Sequence, residues 1–102
     1  MLNMKLLKSR AQKLTNREER LVSAMQLLGD PTRFKIFKLL LSGKEMCVSE
    51  IAGELDVSVS AISQHFRIFE LVGLVNKKRY GQKICYVLKG DDLLAKALIR
   101  IV

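Results

Sequence analysis

Apolar residues recur at helical spacing along most of the chain and switch to alternation only once. Thr15 and Glu18 form a T-x-x-E capping box, and Leu21, Val22, Met25 and Leu28 follow on a stripe. That predicts a helix ended by Gly29, a residue that tolerates a left-handed backbone. Asp30 and Pro31 open a second helix, with Asp30 as N-cap and Pro31 at the first position, where no amide hydrogen is required. Phe34, Ile36, Phe37, Leu39, Leu40 and Leu41 make it apolar on most sides, as expected of a central helix, and Gly43 closes it. After a short extended EMCV (45–48), Ser49 is placed to cap a brief helix holding Ile51, Ala52 and Leu55. Asp56, Val57 and Ser58 read as a tight turn, and Ser58 caps a further helix that Gly73 stops. LVNKKRY and KICYVL then alternate around Tyr80, Gly81 and Gln82, the pattern of a β-hairpin. Asp91 or Asp92 caps a last helix, LLAKALIRIV.

Helix, helix, short strand, helix–turn–helix, hairpin, helix is a mainly α architecture with a small β-hairpin wing, an α+β winged helix-turn-helix. A length of 102 residues suits one domain. Residues 1–14, basic through Lys5, Lys8, Arg10 and Lys13, form an arm or an extension of the first helix, and 15–102 form the domain.

Two helices joined by a tight turn are common, so the spacing matters. Ala52, four residues before Asp56, is small where the helices would cross; Val57 tucks inward and Ile62 lands one turn into the second helix. This is the expected grammar of a DNA-binding helix–turn–helix. The turn usually carries Gly where this chain has Asp56, another residue that reaches the left-handed region at modest cost.

At about 100° per residue, Ile62, Phe66 and Phe69 cluster toward the core. Ser60, Gln64 and Arg67 fall opposite, flanked by Ala61 and Ser63. Small residues let a backbone approach a duplex, Ser and Gln address base edges or phosphates, and Arg67 can pair with a phosphate or a guanine. An ordinary solvated face is the competing reading. His65, on the shoulder of the apolar side, suits a positional hydrogen bond to a phosphate or a neighbouring carbonyl.

Composition adds a partner class. With 18 Lys and Arg against 10 Asp and Glu the formal charge is +8, which suits a polyanion, either nucleic acid or an anionic membrane. Lys77, Lys78, Arg79 and Lys83 gather around the hairpin turn. They fit backbone contact in an adjacent minor groove, or else protection of an edge strand by charge. No apolar run approaches the roughly 18–20 residues needed to cross a bilayer, and the N-terminus lacks the apolar core of a signal peptide. Two cysteines, Cys47 and Cys85, are too few for a disulfide scaffold and fit a reducing interior, so the expected location is cytoplasmic.

DPTRFKIFKLL (30–40), EMCVSEIAGELDVSVSAISQHFRIFELVGLV (45–75) and KRYGQKICYVL (78–88) resemble the three characteristic blocks of the ArsR/SmtB family of small winged-helix repressors. The resemblance implies a homodimer built by the first and last helices that binds a palindromic operator in double-stranded DNA until an effector releases it. The last helix independently suggests a partner: Leu93, Leu94, Ala97, Leu98, Ile99, Ile101 and Val102 leave it little polar surface. Leu21, Met25, Leu94, Leu98 and Ile101 are the expected interface, simple docking on the chain's own core being the other reading.

Many members carry a C-V-C metal or arsenic site near the start of the helix–turn–helix; here the unit is Cys47-Val48-Ser49. Others bind ions through Asp and His on the last helix, which here has Asp91 and Asp92 but no His. One thiolate is a poor soft-metal site, so no metal and no cofactor is expected. If the strand before the helix–turn–helix pairs with the second wing strand, Cys47 approaches Cys85 and a thiol switch becomes feasible; otherwise the two serve as small half-buried hydrophobes. A single His, no recognisable carboxylate pair and no Gly-rich phosphate loop give no support to an enzyme. A winged-helix adaptor for protein or RNA is the remaining alternative, though the basic wing and small-residue helix argue against it.

Overall fold

The computed structural model describes residues 13–102, so the basic arm expected at 1–14 lies almost wholly outside the described residues. The elements run α1 (Asn16–Leu28), α2 (Pro31–Leu40), β1 (Met46–Cys47), α3 (Val48–Leu55), α4 (Val59–Val72), β2 (Val75–Tyr80), β3 (Lys83–Leu88) and α5 (Leu93–Ile101). The hairpin gains a third member: the sheet order is β1-β3-β2, antiparallel throughout, with Cys47 opposite Cys85 and Met46 opposite Tyr86.

Local chemistry accounts for most of the boundaries. Thr15 and Glu18 close their capping box in both directions, at 3.1 and 2.9 Å. The Asp30 carboxylate accepts from the Arg33 amide at 3.0 Å, and the Arg33 guanidinium turns back to donate to the Leu27 carbonyl at 2.8 Å. One residue pair therefore ends α1 and starts α2. That backbone hydrogen bond, chiefly, holds the Asp30 carboxyl below its ordinary range. Of the two candidates for the last cap it is Asp92, whose carboxylate accepts from the Ala95 amide at 2.9 Å.

Three local expectations need correction. Gly29 is right-handed, with φ −69°, and closes α1 by donating its amide to the Met25 and Gln26 carbonyls. The second helix ends at Leu40, ahead of Gly43, and Phe34 lies on its exposed side. The cap of α3 is Cys47 rather than Ser49; the helix begins at Val48, and the Glu50 carboxylate accepts from the Cys47 amide at 3.2 Å. Glu50 reaches back to the strand end, which shifts the start by two residues.

A single apolar cluster holds the elements together. Ile36, Phe37 and Leu40 of α2, Ile51 and Ala52 of α3, and Ile62, Phe66 and Phe69 of α4 meet Leu74, Tyr86 and Leu88 of the wing. The Phe66 ring stacks flat on Tyr86 at a centroid distance of 4.0 Å. Ala52 and Val57 sit as the turn grammar requires, and the Val57 amide donates to the Ala52 carbonyl at 3.0 Å. Asp56 is left-handed, with φ 53° and ψ 48°, the only non-glycine residue with positive φ among those described.

That conformation is tolerable for Asp but not for a β-branched side chain, which makes the turn testable. Asp56→Val should lower unfolding stability by about 1–2 kcal/mol, while Asp56→Gly should stay within about 0.5 kcal/mol of the parent. Urea denaturation of the three proteins, compared at equal slope, measures both.

Candidate nucleic-acid interface

Burial of Ile62, Phe66 and Phe69, each without accessible surface, fixes the rotation of α4 about its axis. Ser60, Gln64 and Arg67 are consequently exposed together, with Ala61 and Ser63 half-buried at the margins. The Ser58 hydroxyl is engaged as N-cap, accepting from the Ala61 amide at 3.1 Å. His65 is half-buried, as its shoulder position implied. Val59, in the first turn and 52% exposed, was not signalled by the helical wheel. An apolar group at that place can meet a thymine methyl.

Lys77, Lys78, Arg79 and Lys83 are all exposed on the wing, whose first strand packs against α4. Gly81, with φ 62°, makes the two-residue turn between the strands. Two hydroxyls anchor the wing. Tyr80 donates to Glu45 at 2.9 Å beside β1, and Tyr86 donates to Glu70 of α4 at 2.8 Å. Burial, then the hydrogen bond and negative charge of Glu70, raise the Tyr86 phenol well above its ordinary value. None of these pairings has a local sequence signal, since the partners lie 35 and 16 residues apart.

Cys47 and Cys85 are joined by a disulfide, with their Cα atoms 3.7 Å apart and 6% and 1% of their surfaces exposed. The expectation of two separate small hydrophobes is thereby overturned: the cross-strand register places the thiols opposite one another. The bond ties the N-cap of α3 to the second wing strand. Among the described residues no group of three or more His, Cys, Asp or Glu is placed to hold a metal ion, and no helix is long and apolar enough to cross a membrane.

Helices α1 and α5 flank an apolar groove that includes Leu21, Leu93, Leu94 and Ala97. Met25 is 59% and Ile101 76% exposed, and Leu21 is also open, while Leu94 is half-buried. Leu98 departs from the expected set: only 5% exposed, it packs into the chain's own core, because it lies one turn beyond the buried Ala95.

A left-handed helix–helix turn, an outward polar face on the second helix and a basic hairpin beside it define the winged helix-turn-helix class. Residues 30–77 match the family model of the bacterial regulatory proteins of the arsR family. An HTH-type transcriptional regulator of Methanocaldococcus jannaschii is 33% identical over 84 residues, 82% of this chain and 92% of that protein. The ArsR of Halobacterium salinarum is 38% identical over 76 residues, 72% of this chain and 59% of its own length. Among solved structures, HlyU from Vibrio cholerae aligns with a TM-score of 0.74 at 28% identity, covering 86% of this chain and 92% of that one. A homodimeric winged helix-turn-helix DNA-binding domain from Mycobacterium bovis shares the fold, with a TM-score of 0.69 at 24% identity over 86% of this chain and 85% of that one. The chain belongs to the ArsR family.

The Tyr86–Glu70 link yields a stability prediction. Because its folded-state value lies above the unfolded one, the contribution of neutral Tyr86 is complete below about pH 10 and is lost as the pH rises further. Tyr86→Phe should cost about 0.5–1.5 kcal/mol at neutral pH and flatten the alkaline decline. Urea titrations of both proteins at about pH 8 and about pH 10.5 compare the two slopes.

Proposed function

We propose that the protein is a homodimeric, sequence-specific transcriptional repressor rather than a catalyst, acting in the cytoplasm on a palindromic operator. In this reading α4 enters the major groove and the wing, residues 76–84, lies along the backbone or the adjacent minor groove. The observation that carries it is the joint exposure of Ser60, Gln64 and Arg67 opposite a completely buried Ile62, Phe66 and Phe69. Gln64 offers an amide to a base edge, Arg67 a guanidinium to a guanine or phosphate, and Ser60, Ser63 and Ala61 permit close approach. Ser58 contributes by capping, and His65 by a positional contact. Lys77, Lys78, Arg79 and Lys83 supply charge that reads no sequence.

The dimer reading is supported by the uncovered apolar side of α1 and α5, to which Leu21, Met25, Leu94 and Ile101 contribute while Leu98 remains in the core. The Mycobacterium bovis domain with the same fold is itself homodimeric. An adaptor for protein or RNA would have little use for a polar, small-residue helix face beside a basic wing.

Selection of bound duplexes from random DNA tests the proposal directly. Enriched fragments should carry two inverted half-sites, with log K falling by about 0.9 per phosphate neutralised as log salt rises. Gln64→Ala should relax base preference at one position of each half-site by about 1–3 kcal/mol. Lys78→Ala should weaken all duplexes alike and reduce the salt slope by about 1. Absence of enrichment over random DNA at moderate salt would sink the reading.

A specific observation also favours thiol control. The Cys47–Cys85 bond joins the helix–turn–helix to the wing, the two parts that must engage DNA together. A dithiol reductant opens it by two-electron exchange: the protein disulfide takes two electrons and two protons to give two thiols, and the reductant becomes a disulfide. Operator affinity should then differ by about 5-fold or more between oxidised and reduced protein, a typical coupling between sites. Cys47→Ser with Cys85→Ser should bind equally in both conditions. Identical affinities for the oxidised and reduced parent would rule out this form of control.

A further inference from the structure

Arg20 is the one basic side chain of α1 that reaches two other helices at once. Its Nε donates to the Val72 carbonyl at 3.1 Å and one terminal nitrogen to the Gly73 carbonyl at 3.1 Å. The other terminal nitrogen meets the Asp92 carboxylate at 2.9 Å. Val72 is the last residue of α4, Gly73 its left-handed cap, and Asp92 the N-cap of α5. Helix-terminal carbonyls lack intrahelical partners and carry the negative end of the dipole, so a guanidinium satisfies both needs. A planar fork with five donors can serve three acceptors at once, which an ammonium on a flexible stem cannot do in the same geometry. Gly73 is part of the fit: a β-carbon there would sit 3.4 Å from the guanidinium, on a backbone with φ 76°. At Asp92 burial alone would raise the carboxyl, but the Arg20 hydrogen bond and the Ala95 amide bring it below its ordinary range.

We propose that Arg20 is a positioning residue that fixes the tilt of α4 against α1 and α5, and so sets the half-site spacing the protein accepts. The inference rests on the operator-binding dimer proposed above, in which α1 and α5 form the platform between two copies of α4. Pinning is at the C-terminal end of α4, whereas Ser60 and Gln64 stand toward its other end. A 14-residue helix is about 21 Å long, so a change of roughly 5° in the angle that this three-way contact sets displaces one end relative to the other by about 2 Å. Two protomers erring alike reach about 4 Å, comparable with one base-pair step of about 3.4 Å. Small losses of angular control therefore become losses of spacing discrimination. Arg20 itself faces backbone carbonyls and a carboxylate of its own chain, so it adds nothing to the phosphate count.

The test uses duplexes selected with the parent protein, remade with one base pair added or removed between the half-sites. The parent should bind the selected spacing at least about 10-fold more tightly than either neighbour, one or two displaced contacts being worth that much. Arg20→Met and Arg20→Lys should bring the ratio below about 3-fold, with an unchanged salt slope, by weakening the selected duplex and sparing the others. Asp92→Asn, which keeps a competent N-cap and removes the ion pair, should give an intermediate ratio even if the Arg20 variants fold poorly. Retention of the parent's ratio by folded, dimeric Arg20→Met or by Asp92→Asn would overturn this inference alone. A parent protein that prefers no duplex overturns the operator reading and this inference with it.

Discussion

The burial of one stripe on α4 is the constraint from which the interface follows. Ile62, Phe66 and Phe69 have no accessible surface, and each large side chain buried in this way contributes about 1.5–3 kcal/mol relative to exposure. Rotating α4 by even one residue position would expose an aromatic ring and bury Gln64 or Arg67 without partners. Both costs act in the same direction, so the polar face has one orientation. Specificity here begins as a packing statement: the core decides which atoms a duplex could meet. The left-handed Asp56 then decides where that face points relative to α3, because the Val57 amide and the Ala52 carbonyl must meet across the turn.

What was legible in the sequence is what depends on near neighbours. The T-x-x-E box at Thr15, the Asp-Pro start at residue 30, the Ser58 cap and the Gly73 stop each act over a few residues, and each is in place. The exposed set Ser60, Gln64 and Arg67 was legible too, because helical periodicity alone separates it from the core stripe. Local preference gives way where a longer-range partner overrides it. Ser49 loses the cap of α3 to Cys47, whose extended backbone is held by the ladder to Tyr86 and Cys85 on the far strand. Leu98 reads as part of a free face because its helix is apolar nearly all round, and periodicity cannot tell which side of such a helix the core takes.

The contacts that carry no sequence signal are of one kind: single polar side chains that bind distant backbone or distant strands. Arg20 to Val72 and Gly73, Tyr86 to Glu70, and Tyr80 to Glu45 share no motif, and in each case only the tertiary fold makes the partners neighbours. Together they divide the domain into pieces with defined joints. Tyr86 and the stacked Phe66 ring bind the wing to the middle of α4, while Arg20 binds the end of α4 to the helices carrying the uncovered apolar side.

The joints differ in chemical character, and that difference decides what each can respond to. The Arg20 fork rests on charge-assisted hydrogen bonds to two carbonyls and one carboxylate, all within the chain. The Tyr86 phenol is held neutral by burial and by Glu70, and only strong alkali reaches it. The disulfide between Cys47 and Cys85 is the joint that an exchange of electrons can open without disturbing the charges around it. Its sulfurs are largely shielded, which slows attack by bulky reductants and favours small dithiols or transient opening of the β1 edge. A two-residue strand offers few ladder bonds to resist such opening, so the least protected part of the sheet is also the part that carries the covalent link. Rigid joints at α4 and a reversible one at the wing would let the domain keep its reading face intact while the wing's hold on it changes.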